Sequence, residues 1–143
     1  MLKNVPKLLS PELLKVLCEM GHGDEIVIGD ANFPAETCGK RVIRADGIGG
    51  EALLDAILTM IPLDTYADEN LMMMQLTPSD VGKVDPVIWK AYEKIAQEKD
   101  GNQRVANIER FAFYERAKTA YAVIASGEEA IYANVIIKKG VIA

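Results

Sequence analysis

The sequence is poor in the residues on which much protein chemistry depends. Its 143 residues include one histidine, two cysteines and one tryptophan. Two cysteines cannot build a disulfide framework, and one histidine beside them leaves little material for a zinc site. There is no second histidine to act as the base for a serine or cysteine nucleophile. Any imidazole chemistry in this chain therefore has to use His22.

The chain also lacks an excess of positive charge and long apolar runs. Lys and Arg number 16 against 21 Asp and Glu, which gives a formal net charge of −5. Nucleic acid and anionic membranes require a basic surface, so neither is an expected partner. No apolar stretch approaches the roughly 20 residues of a membrane span, and residues 1–9 lack the pattern of a signal peptide. We expect a cytoplasmic protein with both thiols reduced.

Hydrophobic residues make up 50% of the chain, and turn signals divide them into short segments. Apolar residues at helical spacing predict helices that start at residues 11 and 86 and helices over residues 50–61 and 110–119. Strands are predicted at 25–29, 41–44, 71–76, 105–109, 121–126 and 134–138, with a loop over 31–40. This alternation predicts an α/β domain of residues 1–143 with a sheet covered on both faces. The short connection between the last two strands favours their antiparallel pairing.

His22 lies in the segment Gly21-His22-Gly23-Asp24-Glu25. Glycine on both sides permits a sharp turn and the close approach of a ligand. The first helix is predicted to end here, and its C-terminal dipole and the two acids favour a protonated imidazole. These features indicate a proton donor at a helix-to-strand turn. A surface histidine with a solvated charge explains the same segment, so both interpretations stay open.

Polar side chains stand at two predicted strand boundaries. Asp30 follows the strand at 25–29, and ligands of α/β sheets bind outside the carboxyl ends of strands. A carboxylate there can accept hydrogen bonds from two hydroxyl groups of a sugar. The alternative is an aspartate that only forms a turn. Tyr132 and Asn134 stand at the start of the last strand, and both can donate and accept hydrogen bonds. The start of an edge strand explains them as well.

Residues 110–116, Arg-Phe-Ala-Phe-Tyr-Glu-Arg, combine two arginines with three aromatic rings. Arg110 offers fixed donors to hydroxyl oxygens. A ring such as that of Tyr114 can pack on the apolar face of a sugar. The alternative is an amphipathic helix with its aromatic rings in the core and its charges in water.

No cofactor or metal is expected. The glycine-rich residues 46–50 precede a predicted helix, but they lack the lysine of a phosphate-binding loop and do not match the dinucleotide fingerprint. Cys18 and His22 are four residues apart. Gly21 interrupts the helix that would align them, so they are not expected to form a metal pair.

Four separated blocks of the sequence resemble the RbsD/FucU family of sugar mutarotases and pyranases. The first is SPELLKVLCEMGHGDEIVIGD at residues 10–30, continued by ANFP at 31–34. The others are IRADG at 43–47, RFAFYERA at 110–117, and YAN at 132–134 with KKGV at 138–141. The blocks cover nearly the whole chain, and the resemblance is weakest over residues 77–103. The third block and the Asn-Phe-Pro of residues 32–34 look like the L-fucose mutarotase branch rather than the ribose pyranase branch.

The resemblance implies a three-layer α/β/α fold with a mixed, mostly parallel sheet of about six strands. It also implies self-association into a ring-like homo-oligomer, a decamer, with active sites near subunit interfaces. By position, His22 resembles the family's catalytic proton donor. The positions that resemble its sugar-binding residues are Asp30, Arg110, Tyr132 and Asn134. To these we add Tyr114 and Asp24 on chemical grounds alone.

The expected function is therefore L-fucose mutarotase. Protonated His22 would donate to the ring oxygen, and Asp30, Tyr132 or a water would take the proton of the anomeric hydroxyl. Two alternatives stay open. One is a D-ribose pyranase or mutarotase of broader sugar range. The other is a sugar-binding accessory protein of monosaccharide uptake without catalysis, because binding and mutarotation use most of the same residues.

Overall fold

The computed structural model describes residues 1–143 and contains five helices and six strands. The helices are α1 (Pro11–Glu19), α2 (Ala35–Cys38), α3 (Gly50–Met60), α4 (Val87–Lys99) and α5 (Arg110–Thr119). The strands are β1 (Glu25–Gly29), β2 (Val42–Ala45), β3 (Leu71–Met74), β4 (Val105–Ile108), β5 (Ala122–Ser126) and β6 (Val135–Lys138). No helix combines the length and apolar character needed to cross a membrane.

The six strands form one mixed sheet in the order β2-β5-β1-β6-β3-β4. Strand β6 runs antiparallel to both of its neighbours, β1 and β3, and the other adjacent pairs are parallel. The predicted mixed, mostly parallel sheet is confirmed. The expected pairing of the last two strands is wrong, because β5 and β6 lie on opposite sides of β1. The short connection from β5 to β6 passes the end of β1, which lies between them, instead of forming a hairpin.

Alternate residues of the sheet supply two separate cores. In β1, Ile26 and Ile28 belong to a cluster of 25 buried residues that also includes residues of α1, α3 and α4. Val27, between them, belongs to a cluster of 12 buried residues that includes residues of α2 and α5. Successive side chains of a strand point to opposite faces of its sheet. The helices therefore cover both faces, which confirms the three-layer α/β/α fold.

Side-chain caps start two of the five helices, α1 and α5. The hydroxyl of Ser10 accepts a hydrogen bond from the backbone N–H of Leu13 at 3.1 Å, which is the predicted N-cap of α1. This helix ends at Glu19 with Met20 already extended, before the glycine expected to end it. The prediction of an unbroken loop over 31–40 is wrong, because α2 lies within it. Its four residues are too few to show helical periodicity.

The antiparallel pairing of β1 with β6 determines which residues meet at each edge of the sheet. The register places Ile28 opposite Val135 and Glu25 opposite Lys138. The carboxyl end of β1 therefore lies beside the start of β6, and its amino end lies beside the end of β6. Strands β3 and β4 run in the same direction as β1, so the segments that follow them share its carboxyl edge.

Candidate active site

A cavity of about 390 Å³ opens at the carboxyl edge of the sheet. Small-molecule sites typically have volumes of about 300–1,000 Å³. The cavity brings together five of the six predicted site residues, Asp30, Arg110, Tyr114, Tyr132 and Asn134. The other residues that line it are Asn32, Phe33, Met74, Thr77, Ser79, Asp80 and Ile131.

Asp30 and Asn134 form the buried floor of the cavity. The side-chain oxygen of Asn134 accepts a hydrogen bond from the backbone N–H of Asp30 at 2.8 Å. Its amide nitrogen lies 3.8 Å from the sulfur of Met74. The side-chain oxygen is thus committed to the sheet, while the NH₂ group has a second hydrogen available for a ligand.

Burial sets the acidity of Asp30. The residue is only 7% exposed, and its Oδ1 accepts a hydrogen bond from the backbone N–H of Asn32 at 3.0 Å. Burial raises the pKa of Asp30 above its ordinary value, although several hydrogen bonds oppose this shift. A carboxylate with a raised pKa is a stronger base and acceptor. Asp30 is therefore suited to hold sugar hydroxyl groups or to take a proton from one.

The three aromatic rings of α5 have different surroundings: Phe113 lies in the core, Tyr114 lines the cavity and Phe111 is 65% exposed. Phe113 is fully buried, as the amphipathic-helix interpretation expects. Arg110 and Tyr114 line the cavity, and the Arg110 Nε donates to the Tyr114 hydroxyl at 3.0 Å. The Tyr114 ring packs edge-on against Phe33, with ring centroids 5.6 Å apart. The first turn of α5 thus presents a cation and an aromatic ring to a ligand.

Tyr132 enters the cavity from the turn before β6. Its hydroxyl donates to the carboxylate of Asp80 and lies 3.1 Å from the hydroxyl of Thr77. Both partners belong to residues 75–86, the segment between β3 and α4. Sequence reasoning missed Thr77 and Asp80, because they lie in a loop where the family resemblance is weakest and no local pattern marks their contact with Tyr132.

His22, the sixth predicted residue, does not lie in this cavity. It occupies the turn between α1 and β1, at the amino end of β1, whereas Asp30 follows the carboxyl end. A strand of five residues alone separates its ends by about 15 Å. Within one chain, the predicted proton donor and the predicted sugar-binding residues therefore lie at opposite edges of the sheet.

The partner of His22 is Asp64, in the loop between α3 and β3. The Nε2 of His22 lies 2.9 Å from Oδ1 of Asp64, which is buried, whereas the histidine side chain is 45% exposed. A carboxylate only accepts hydrogen bonds, so Nε2 is the protonated nitrogen and Nδ1 remains available. Sequence reasoning missed this pair, since Asp64 is 42 residues away. The sequence indicated only that a functional histidine needs a hydrogen-bond acceptor to orient its ring.

Hydrogen bonds also fix the charge of Asp64. Burial acts to raise the pKa of this carboxyl, but bonds from the backbone N–H of Tyr66 and from the ring of His22 outweigh it. The pKa of Asp64 is lowered overall. The side chain is therefore an ionised acceptor that holds the imidazole in one orientation.

The acids next to His22 in the sequence have other partners. Asp24 accepts from the backbone N–H of Gly21 at 2.7 Å, and Glu25 binds Arg116 through two hydrogen bonds of 2.7 and 2.9 Å. The last carbonyls of α1 accept hydrogen bonds from the ammonium group of Lys139. Asp24, Glu25 and the end of α1 were expected to favour a protonated His22, but each has another partner. The carboxylate that contacts the imidazole is that of Asp64. Of the flanking glycines, Gly23 has the positive φ of a sharp turn, +84°.

No group of three or more His, Cys, Asp or Glu side chains is arranged to hold a metal ion. The cavity offers the carboxylates of Asp30 and Asp80, two phenols, two amides and a guanidinium, and the imidazole of His22 lies at the other end of β1. Together these groups bind polyols through hydrogen bonds and transfer protons.

A family model described as the RbsD / FucU transport protein family matches residues 3–142. The chain belongs to the RbsD/FucU family. Within this family, fucose mutarotase from Homo sapiens is 52% identical over 146 residues, which cover 99% of this chain and 95% of that protein.

Two solved structures of the RbsD/FucU fold match nearly the whole of this chain. Fucose mutarotase from Streptococcus pneumoniae, in complex with L-fucose, superposes with a TM-score of 0.93 at 45% identity. FucU from Bifidobacterium longum superposes with a TM-score of 0.94 at 54% identity. Each comparison covers 99% of this chain and 100% of the other.

Proposed function

We propose that this protein is an enzyme that interconverts the α and β anomers of L-fucose through the open-chain aldehyde. The observation that carries the proposal is a cavity lined by a carboxylate, an amide, a guanidinium and phenols, together with an accessible histidine held by a buried aspartate. The Streptococcus pneumoniae structure with L-fucose supports the choice of sugar. Relatives named fucose mutarotase support the choice of reaction.

A second copy of the chain completes each site. His22 lies at one end of β1 and the cavity lies at the other, so the histidine of one subunit cannot serve its own cavity. The half-exposed His22 and the neighbouring Tyr66, which is 79% exposed, leave this end open to another subunit. In the ring-like homo-oligomer, a decamer, that the family resemblance implies, His22 of each subunit faces the cavity of a neighbouring one.

The cavity binds the sugar through its hydroxyl groups. Asp30 accepts hydrogen bonds from hydroxyls, while Arg110 and Asn134 donate to hydroxyl oxygens. The ring of Tyr114 packs against the apolar face of the pyranose. Phe33 supports that ring from behind, through their edge-on contact. These contacts hold C1 and the ring oxygen in place while protons move.

Ring opening requires one proton delivered and one removed. Protonated His22 of a neighbouring copy donates to the ring oxygen, and the proton of the anomeric hydroxyl leaves for Asp30 or Tyr132. The aldehyde then rotates, and the reverse transfers close the ring on either face. A positioned acid or base of this kind contributes about 10²–10⁴-fold, which is a useful gain for a reaction that already proceeds slowly in water.

The direct test is anomer exchange measured by saturation-transfer NMR. A catalytic amount of the protein is expected to accelerate exchange of L-fucose above the buffer rate. A sugar-binding protein without catalysis would leave that rate unchanged, which would overturn the proposal. The same measurement on D-ribose compares the two branches of the family, and faster exchange of D-ribose than of L-fucose would assign the protein to the pyranase branch.

Mixed oligomers test the shared site. His22→Ala and Arg110→Ala each remove one half of it, so each variant alone is expected to be nearly inactive. When the two chains are co-expressed with different tags and purified together, sites that pair an intact cavity with an intact histidine form again. Random mixing of a two-chain site restores about a quarter of the wild-type rate. No recovery in a confirmed mixed oligomer would contradict the shared site.

The protein acts as a single domain of residues 1–143, in the cytoplasm. The free thiols of Cys18 and Cys38 support a reducing compartment.

A further inference from the structure

The amino end of β1 has a second aromatic ring beside the imidazole of His22. The ring of Tyr66, in the loop between α3 and β3, has its centroid 5.1 Å from that of His22, at an interplanar angle of 60°. Tyr66 is 79% exposed, whereas Tyr92 and Phe113 are fully buried. A single exposed apolar side chain needs no explanation by itself, so the argument for Tyr66 depends on what holds it there.

One carboxylate oxygen holds both residues. Oδ1 of Asp64 lies 2.9 Å from Nε2 of His22, and it accepts a hydrogen bond from the backbone N–H of Tyr66 at 3.0 Å. The second bond closes an Asx-turn, which sets the direction of the backbone at Tyr66. Asp64 is buried, and its own backbone N–H donates to the carbonyl of Lys138 at the end of β6. The sheet therefore fixes the backbone of Tyr66 relative to the imidazole.

In the proposed shared site, Tyr66 reaches the sugar together with His22. The imidazole meets the ring oxygen of a sugar bound in the cavity of another copy, so the ring beside it lies close to the groups that adjoin that oxygen. The ring oxygen is bonded to C1 and C5. In L-fucose C1 to C4 carry hydroxyl groups, whereas C5 carries a methyl group. The methyl carbon is two bonds from the atom that His22 protonates.

The cavity itself offers little apolar surface to this methyl group. Polar side chains line most of it and suit the hydroxyl groups on C1 to C4. Apart from its two tyrosines, its apolar side chains are Phe33, Met74 and Ile131. Phe33 is 8% exposed and Met74 is 4% exposed, whereas Ile131 is 52% exposed. The methyl group thus has two candidate neighbours, Ile131 of the cavity and Tyr66 beside the proton donor.

We propose that Tyr66 of the neighbouring copy packs against the C5 methyl group and thereby selects L-fucose over sugars that lack it. The inference rests on the proposed function and names a residue that determines its sugar preference. Tyr66 is favoured over Ile131 because Asp64 holds it beside His22, next to the ring oxygen. An exposed aromatic ring offers a large apolar face to a ligand. D-Arabinose isolates this contact, because its pyranose has the configuration of L-fucose at C2 to C4 but only hydrogen atoms at C5.

The test compares kcat/KM for anomer exchange of L-fucose with that of D-arabinose, measured by saturation-transfer NMR. A methyl group in an apolar site changes kcat/KM by about 10–200-fold, and we expect the wild type to favour L-fucose within that range. Tyr66→Ala is expected to lower this ratio about tenfold, through its effect on L-fucose. Tyr66→Phe is the matched control, since it keeps the ring and is expected to keep the ratio. If Tyr66→Ala fails to fold or assemble, Tyr66→Gln replaces it, and the ratio is again expected to fall.

Mixed oligomers show from which chain the ring acts. When His22→Ala and Arg110→Ala chains assemble together, the active sites combine the cavity of the first chain with the histidine of the second. Tyr66→Ala added to the Arg110→Ala chain, which supplies the histidine, is expected to lower the ratio. The same change added to the His22→Ala chain, which supplies the cavity, is expected to leave the ratio unchanged.

Three results would overturn the inference while leaving the function intact, since the wild type would still exchange L-fucose. One is a wild type that exchanges both sugars equally well. Another is an equal loss for both sugars in Tyr66→Ala, because the ring would then act only through His22. The third is an unchanged ratio in Tyr66→Ala, and a lower ratio in Ile131→Ala would then place the methyl group against the cavity. If the wild-type protein does not exchange L-fucose anomers, the proposed function itself fails.

Discussion

The two ends of strand β1 differ in what they contain. The carboxyl end has a concave cavity whose floor, Asp30 and Asn134, is nearly closed to water. The amino end has a half-exposed imidazole in the turn before β1, held by a buried carboxylate. One end is built to surround a small polar molecule, whereas the other is built to present side chains outward.

This difference explains why neither end forms a complete site. The cavity is lined by carboxylates, amides, phenols and a guanidinium, but by no imidazole. The histidine end has the imidazole, but His22 lines no cavity of its own chain. A strand is rigid, so the two halves of one chain cannot approach each other. In the proposed shared site a second copy supplies the missing half, and changes at each end have different expected consequences.

The largest effect is expected at the histidine end. His22→Ala removes the proposed proton donor, so the exchange of L-fucose anomers is expected to fall about 10²–10⁴-fold. The side chain is 45% exposed, so the fold is expected to persist in circular dichroism. Free imidazole in the buffer is expected to restore part of the exchange rate. Full exchange by a folded His22→Ala variant would remove His22 from the mechanism.

The next effect concerns the group that orients the histidine. Asp64→Asn keeps the size of the side chain but loses the ionised acceptor for Nε2. Removal of such an orienting group allows the wrong tautomer, and we expect exchange to fall by no more than it does in His22→Ala. The double variant with His22→Ala is expected to be no slower than His22→Ala alone. Losses that multiply would show that Asp64 acts separately from the histidine.

Asp64→Asn also changes the dependence of stability on pH. The pKa of Asp64 is lowered from its ordinary value of 3.8 in the folded state. Its ionisation therefore stabilises the fold above that value, and this contribution is lost as the pH falls through the folded pKa. Thermal unfolding of Asp64→Asn is expected to change less on acidification than that of the wild type. Identical acid profiles would contradict the pKa shift.

The two ends also differ in how far their sequences predict them. At the cavity end, Asp30 follows an apolar strand and Asn134 begins another, so strand boundaries alone indicate both positions. Their mutual contact needs the register of β1 against β6, which the sequence does not contain. The expected pairing of the last two strands was wrong for the same reason, since hydrophobic pattern indicates strands but not their order in the sheet.

At the histidine end, the sequence indicated His22 but not its hydrogen-bond partner, Asp64. His22 was marked by its flanking glycines and by being the only histidine. Its charge environment was assigned to Asp24 and Glu25, because these lie next to it in the sequence. The folded chain gives those acids other partners and brings Asp64 across 42 residues instead. Contacts between loops have no periodicity, which is also why Thr77 and Asp80 were missed.

A smaller effect is expected from Asp30→Asn at the cavity end. We expect this variant to be more stable than the wild type but less active. Burial raises the pKa of Asp30 above 3.8 in the folded state. The native state therefore holds this proton more tightly than the unfolded chain, so stability is lost as the pH rises through the folded pKa. Asp30→Asn is expected to raise the thermal midpoint at pH 7 by a few degrees and to lower L-fucose exchange, because the sugar loses a carboxylate acceptor.

The control for Asp30→Asn is the same thermal measurement at low pH. Below pH 3.8 both the folded and the unfolded wild type hold the proton, so the gain from the amide is expected to vanish there. Asp85→Asn, at an exposed site, is expected to leave the midpoint unchanged at either pH. A gain that persists at low pH would mean that packing, rather than ionisation, is responsible.

The smallest effect concerns the support beneath the cavity. The hydroxyl of the fully buried Tyr92 donates to the carbonyl of Ala133 at 2.9 Å, between Tyr132 and Asn134. Tyr92→Phe leaves that buried carbonyl without its partner, at a cost of about 1–3 kcal/mol in the free energy of unfolding. Tyr66→Phe, which removes the same group from an exposed ring, is expected to cost nothing measurable. The turn keeps the bond from the Trp89 indole N–H to the Tyr132 carbonyl, so L-fucose exchange in Tyr92→Phe is expected to fall by less than in Asp30→Asn. A loss of exchange as large as that of Asp30→Asn would mean that the turn before β6 depends on this bond for its position in the cavity.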